Sequence, residues 1–541
     1  MEKLYQFLND PKSYRHKVDD LKIIETHISI VAITSLYVYK FKKPVNFGWV
    51  DFSTLEKRKF YCENEVELNR RLCDNIYVGV QPLYNQDGHL NFEDGEIIDY
   101  CVLMNRIPDQ LFLTHYFVDK FANQQPESKI GPDFPYTAIT DRLVHFYKKS
   151  APLSIEPPTY FTSIKQPVIE NLPPFVNYHN AISVEVLSLL SFFFELCFER
   201  LGDILIKRLA EGKVVDCHGD LHLEHIVLPA SNNDSVCFYD CIEFNDSFRQ
   251  IDIACDVAFL CMDLDFRGYR SISSNLSHKL IAQLSDASFE QVQPFFRAYR
   301  SCVRAKVNSL TALDSHVCEI QREESIQKSK RYIQLGLRYA VAGTKPLAII
   351  VMGRIASGKS AFARLAASYL GVNAKSSDRI RKELAGLPPL QETPVDRKPE
   401  VYTIEMTNQT YAEMLNRSLV DIDNFGVAVL DATFSSKNRR QSAIRFFNDV
   451  NIDILFVEIT AKDNVRRERL KVREHRPNTS DARLADLTFI DKTYFAPDEL
   501  STDQLIQVDS SNGTKEETAQ RTFQQLIRKN LNSILNSQKI G

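Results

Sequence analysis

Two short stretches of this chain carry residue types and spacings suited to holding phosphate. The first is "GRIASGKS", Gly353 to Ser360. Gly353 and Gly358 let the backbone curl until its N–H groups converge on an anion. Ser357 and Ala361 belong to the same cradle, and the helix opening near Lys359 adds the positive end of its dipole. Lys359 can neutralise β- and γ-phosphates, and Ser360 can ligate Mg²⁺. The implied ligand is ATP or another nucleoside triphosphate with Mg²⁺.

The second stretch is "VDCHGDLHLEHIVL", Val215 to Leu228. Asp220 can accept or orient the proton of an attacking hydroxyl, and the position five residues on is where an amide would ligate the metal. His225 stands there instead. Downstream, "VCFYDCIEFND" places Asp240 at a strand end as a second metal ligand, with Glu243 able to join the same shell. Mg²⁺ prefers oxygen donors, whereas neutral imidazole suits Mn²⁺, Zn²⁺ and other transition metals. Three outcomes are open for His225: ligation of a softer metal, contact with magnesium through water, or a weakened site. His218 is expected to hydrogen-bond within the loop. His222 supports the loop or touches substrate, and the surrounding aspartates argue against a three-histidine zinc site. Asp252 and Asp256 are expected to brace the loop and start a helix.

Further residues could receive or guide a phosphate in the C-terminal part. In "NAKSSDRIRKEL", Asp378 follows a short strand, so its carboxylate can take a proton from a hydroxyl. Arg381, three residues on, can orient that carboxylate or hold the substrate. "VAVLDATF" ends in Asp431, an apolar strand closing on a carboxylate that holds the magnesium shell. In "NVRRERLKVREHRPNTSDAR", Arg466, Arg469 and Arg473 share one side of a helix.

These residues need elements to position them. "LAIIVM" is a continuous apolar run, as in a parallel strand buried on both faces. "KSAFARLAASYLG" reads as a helix ending at Gly371, and "IDILFVEIT" as another strand. Strands alternating with helices imply a parallel sheet over about 345–541. Earlier in the chain, 22–45 and 76–104 look like strands flanking the helix "LEKRKFYCENEVELNRRL". From about 110 onward helices dominate. The layout is a small strand-rich lobe, about 1–108, and a helical lobe, about 109–342. The expected fold class is therefore α/β with α+β.

Composition is that of an ordinary globular protein. Of the 541 residues 44% are hydrophobic and 25% charged, and the net charge of −4 gives no global basic field to recruit nucleic acid. The N-terminus lacks a signal-peptide core, and "AISVEVLSLLSFFFELCF" carries two glutamates at helical spacing, so a buried helix is expected rather than a membrane span. The 11 cysteines show no paired zinc spacing, and reduced thiols in a cytoplasmic protein are the expectation. Cys237 and Cys241 have no evident partner.

The segment with Gly353–Ser360, Asp378 and Arg381 resembles the P-loop kinases of the polynucleotide kinase, gluconate kinase and zeta-toxin group. That resemblance implies Asp378 as general base, Arg381 as substrate clamp, and a lid helix whose arginines, Arg469 and Arg473, close over the transferring phosphate. "HGDLHLEH" with Asp240 resembles the aminoglycoside phosphotransferase and choline kinase-like family, a bilobal protein-kinase-like fold. "CIEFND-FR-IDIA-DVAFL" and "YVYKFKKPVNFG--DFSTLEKR" resemble the bacterial group that fuses such a domain to a C-terminal P-loop domain, described as bifunctional. The fold implies a nucleotide lysine on a strand, paired with a helical glutamate. Lys40 and Lys42 alternate onto one strand face. Lys40 directly follows apolar "YVY"; Glu65 is its expected partner and Glu63 the alternative. No glycine precedes Lys40, so Thr34 and Ser35 are expected to form a short turn. The implied activity is transfer of the ATP γ-phosphate to a hydroxyl of a small polyol, nucleoside or nucleic-acid 5′ end. The competing expectation is an ATP-hydrolysing regulatory or ligand-binding protein.

Overall fold

The computed structural model describes residues 2–121, 134–172, 182–231, 234–314, 317–473 and 479–536. The chain divides into two compact units. The first comprises Met1–Tyr160, Ile206–Asp263 and Asn275–Ala287; the second comprises Phe161–Leu205, Leu264–Ser274 and Ser288–Gly541.

The first unit contains a six-stranded antiparallel sheet of β1 (Lys22–Glu25), β2 (Ser29–Ile33), β3 (Tyr37–Lys42), β4 (Tyr77–Gln86), β5 (His89–Asn91) and β6 (Glu96–Asn105). Its spatial order is β1-β2-β3-β6-β4-β5. Alternation along "YVYKFK" decides what each face does. Tyr39 and Phe41 enter an apolar cluster with Leu8, Tyr14 and Phe92. The opposite face packs Val102 and Met104 against Cys62 and Val66 of the Leu55–Arg70 helix. Thr54 caps that helix, its hydroxyl accepting the Lys57 N–H. Thr34 and Ser35 do join β2 to β3, the Thr34 hydroxyl accepting the Tyr37 N–H at 3.1 Å.

Four short strands follow: β7 (Val214–Asp216), β8 (Ile226–Val227), β9 (Cys237–Phe238) and β10 (Gln250–Asp252). β7 pairs with β10 and β8 with β9, both antiparallel, which fixes the ends of the 217–225 loop. Asp256 accepts the N–H groups of His218 at 3.1 Å and Gly219 at 2.9 Å, while the Tyr147 hydroxyl donates to it at 2.9 Å. Gly219 has φ +86°, and a Cβ there would lie 2.9 Å from the Phe248 carbonyl oxygen, so only glycine fits. Below this loop the fully buried Arg208 makes two bonds of 2.7 Å to Asp252 and one of 2.7 Å to Asp286. Cys73 and Cys237 are joined as a disulfide across 164 residues of sequence, so Cys237 is not unpartnered. The fold brings the end of the Glu65 helix beside β9, a proximity that local spacing does not carry.

The second unit contains a five-stranded parallel sheet of β11 (Leu347–Met352), β12 (Lys375–Ser376), β13 (Val427–Asp431), β14 (Asp453–Thr460) and β15 (Leu505–Asp509). The order is β12-β13-β11-β14-β15. Central β11 is buried at every residue, as its unbroken apolar run requires. Helices between the strands cover the sheet; Met414, Leu415 and Ile422 of the Ile404–Phe425 helix pack on Ile350, Leu430 and Phe456. Parallel pairing puts the carboxyl ends of β11, β12 and β13 at one edge, where such sheets bind ligands. Among the described residues no helix is long and apolar enough to cross a membrane.

Arg208→Ala leaves two buried carboxylates without their cation. It is expected to lower stability by about 3–5 kcal/mol, read as a lower midpoint of urea-induced unfolding.

Candidate functional sites

In the second unit the loop between β11 and the Lys359–Leu370 helix forms the phosphate cradle. Gly353 has φ +142°, and a Cβ there would collide with the Ile459 carbonyl oxygen. Gly358, at φ +98°, is the residue before the helix. The loop opens on a cavity of about 260 Å³ lined by Gly358, Lys359, Ser360, Ala361, Asp378 and Arg473, among others. Asp378 lies in the first turn of the Ser377–Leu384 helix, directly after β12. Among the described residues no hydrogen bond or ion pair engages its carboxylate, leaving it available to a hydroxyl.

Asp431 ends β13, buried, with the Ser360 side chain beside its carboxylate. Its Oδ1 has no hydrogen-bond partner among the described residues. Burial raises its pKa, with Lys359 and the nearby Ser360 side chain opposing the rise. A buried carboxylate oxygen without a partner, beside a serine hydroxyl, fits a hard dication that takes oxygen donors.

The arginines divide their roles. Arg473 is half-buried at the cavity wall; burial lowers its pKa, Asp378 favours its charge, and Arg483 and Arg364 oppose it. Arg469 also lines the cavity, but its guanidinium bonds the carbonyls of Ala356 at 3.3 Å and Ser357 at 3.1 Å, and that of Ser510 at 2.7 Å. It braces the loop from outside. Arg466 is buried against the Ile355 carbonyl and a bidentate Asp491. Arg381 does not line the cavity. It is buried, donating to Thr407 Oγ1 at 2.9 Å and to the Val401 carbonyl at 3.3 Å, with Tyr402 5.0 Å from its guanidinium. Sequence reasoning missed Arg364, Ser510 and Lys515, which complete the cavity wall. For the last two, the turn-forming "DSSNGT" after a strand was the available signal.

In the first unit Lys40 and Lys42 point to one side of β3, as alternation requires. Lys40 Nζ lies 2.9 Å from Glu65 and 2.5 Å from Asp240. Lys42 Nζ lies 2.7 Å from the other Glu65 oxygen and also bonds Glu243. Glu63 instead faces solvent, 3.8 Å from Lys59. Burial works against the charge of Lys42, yet Glu243 and Glu65 hold its pKa above the ordinary range. Burial likewise works against ionised Glu65, and the two lysines outweigh it. Glu243 is therefore engaged by Lys42.

Asp240 has φ +62°, an uncommon conformation for a non-glycine residue, and its N–H donates to the Tyr77 hydroxyl at 3.1 Å. Its Oδ2 is 3.6 Å from His225 Nε2. His225 Nδ1 lies 2.9 Å from the Asp220 carbonyl oxygen. His222 is buried, its Nε2 3.4 Å from Asp220 and its ring centroid 3.9 Å from that of His225. His218 donates from Nε2 to the Tyr239 carbonyl and accepts the Asp220 N–H at Nδ1, and burial pushes its pKa down to about 3. Burial, reinforced by His222, also lowers the pKa of His225. Beside Lys40 and Asp240 opens a cavity of about 340 Å³ with apolar walls from Val31, Val38, Ile76 and Met104.

The C-terminal segment folds as a P-loop domain. Residues 349–497 match the family model described as an AAA domain, a span holding the phosphate loop, Asp378, Asp431, Arg469 and Arg473. Uncharacterized proteins of Mycobacterium tuberculosis and Mycobacterium bovis are each 25% identical over 474 residues, 86% of this chain and 89% of theirs. Among solved structures, a gluconokinase from Sinorhizobium meliloti is 20% identical, covering 36% of this chain and 98% of its own, with a TM-score of 0.25. A microcompartment-associated aminopropanol kinase is 10% identical, covering 63% of this chain and 98% of its own, with a TM-score of 0.36.

Asp431→Asn keeps the shape but removes the charge of the carboxylate beside Ser360. It is expected to weaken Mg²⁺-nucleotide binding at the second unit by about 10- to 100-fold while changing metal-free nucleotide binding little. Calorimetric titration with and without Mg²⁺ measures the difference.

Proposed function

We propose that this protein is an ATP-dependent phosphotransferase whose P-loop domain, about 345–541, moves the γ-phosphate to a hydroxyl acceptor. The observation that carries the reading is one cavity lined by Lys359, Ser360, Asp378 and Arg473. An ATPase that only switches needs the first two; it does not need an unpaired carboxylate facing them.

In this reading the loop amides and Lys359 hold the β- and γ-phosphates, while Ser360 and Asp431 supply the oxygen donors for Mg²⁺. The metal, when bound, neutralises phosphate charge. Asp378 takes the acceptor proton as the hydroxyl oxygen attacks phosphorus, and ADP leaves with the electrons of the broken P–O bond. Arg473 stabilises charge on the transferring group, and Arg469 keeps the loop in shape. The acceptor is a polyol, a nucleoside or a nucleic-acid 5′-hydroxyl.

The kinase-like domain, about 1–342, is proposed to bind a second nucleotide. Lys40, oriented by Glu65, meets its phosphates, Asp240 and His225 face its metal, and Asp220 orients a second acceptor hydroxyl.

The test is γ-labelled ATP with a panel of sugars, nucleosides and 5′-hydroxyl oligonucleotides. Lys359→Ala and Asp378→Ala are each expected to lower transfer by about 10²-fold or more, and Asp378→Ala to leave nucleotide affinity nearly unchanged. ATP hydrolysis with no transfer to any acceptor, unaltered by Asp378→Ala, favours the regulatory ATPase instead. A transfer lost in Asp220→Ala but retained in Lys359→Ala identifies a second activity in the first unit.

A further inference from the structure

We propose that His225 makes the first unit's metal site selective for a transition-metal dication of the Mn²⁺ class over Mg²⁺, ligating it through Nε2 together with Asp240 Oδ2. This deepens the reading of that unit as a nucleotide site and rests on it.

The backbone fixes the tautomer of His225. His225 Nδ1 lies 2.9 Å from the Asp220 carbonyl oxygen, and a carbonyl only accepts. Nδ1 therefore carries the hydrogen and Nε2 presents its lone pair. Metal-ligating histidines are commonly fixed this way, one ring nitrogen donating to a carbonyl and the other free for the metal. That free nitrogen faces Asp240 Oδ2 at 3.6 Å. Adjacent donors on one metal with bonds near ~2.1 Å stand about 3 Å apart, so a slight approach of the two side chains suffices. The carboxylate is already turned for it, because Lys40 Nζ holds the other oxygen, Oδ1, at 2.5 Å.

A rival set exists. Asp220, His222 and His225 each offer a ligand atom within 4.8 Å of the others. His225 approaches Asp220 Oδ2 through Nδ1, at 3.6 Å, and that nitrogen is protonated and bonded to the carbonyl. His222 Nε2 faces the same carboxylate oxygen at 3.4 Å. The geometry thus leaves Asp220 and His222 as a pair beside the acceptor position, and gives the metal to His225 and Asp240. One nitrogen donor replaces the oxygen that an amide supplies, which shifts preference from Mg²⁺ toward Mn²⁺ and its neighbours.

The experiment uses the full chain carrying Lys359→Ala, so that nucleotide binding reports the first unit. AMP-PNP is titrated with Mg²⁺ and with Mn²⁺, in that chain and in the same chain with His225→Asn. The Mn²⁺/Mg²⁺ affinity ratio is expected to fall by about tenfold or more on His225→Asn. Independently, electron spin echo spectroscopy of the Mn²⁺ complex should show nitrogen modulation from a directly bound imidazole, absent in His225→Asn. The modulation itself is read in the chain that retains His225, so it does not depend on how His225→Asn folds. An unchanged ratio, or a bound Mn²⁺–nucleotide complex without imidazole modulation, overturns the proposal. Nucleotide that fails to bind the first unit with either metal overturns the nucleotide-site reading as well, a distinct outcome.

Discussion

A buried charge must find an opposite charge, and the first unit is organised around one such requirement. Glu65 is wholly buried and remains ionised because Lys40 and Lys42 each hold one of its oxygens. Those lysines in turn reach Asp240 and Glu243 on the segment after β9. The sheet, the helix and that segment are thereby drawn to one point. Arg208 repeats the logic deeper in the unit, joining the start of the Ile253–Phe266 helix to Asp286. Position and charge state are set together: displacing any partner strands another charge in a medium that solvates it poorly.

The second unit meets the requirement differently. Its loop amides, Lys359 and Arg473 converge on a cavity, and the buried Asp431 keeps one oxygen without a partner among the described residues. Phosphate and metal are the natural complement to that arrangement. Arg469 and Arg466 spend their guanidinium groups on loop carbonyls and on Asp491, which stiffens the cradle before any ligand arrives.

Local features were legible in the sequence and distant ones were not. The strand, loop and helix from Leu347 to Leu370 are contiguous, so the apolar run, the two glycines and Gly371 sufficed to place them. The two-residue period put Lys40 and Lys42 on one face, and the Lys40–Glu65 contact follows from that face meeting the helix. The Lys42–Glu243 bond spans 201 residues, and nothing in either neighbourhood announces it. Arg381 and Arg469 show a different limit. Helical spacing gives the side of a helix, whereas the rotamer is chosen by the acceptors within reach: a Thr407 hydroxyl for one, P-loop carbonyls for the other. Cys73 and Cys237 likewise meet only once the fold exists.

The Lys40–Asp240 ion pair also sets how a ligand enters the first unit. Lys40 is already closed on Glu65 and Asp240, so an anion that reached it would first have to displace a carboxylate. In the proposed reading a nucleotide with its cation would enter by partner exchange, Lys40 passing to phosphate and Asp240 to metal. The cationic cavity of the second unit draws anions from a distance. The two sites therefore differ in what an anion would meet first: a lysine already committed to carboxylates in one, and cations lining an open cavity in the other.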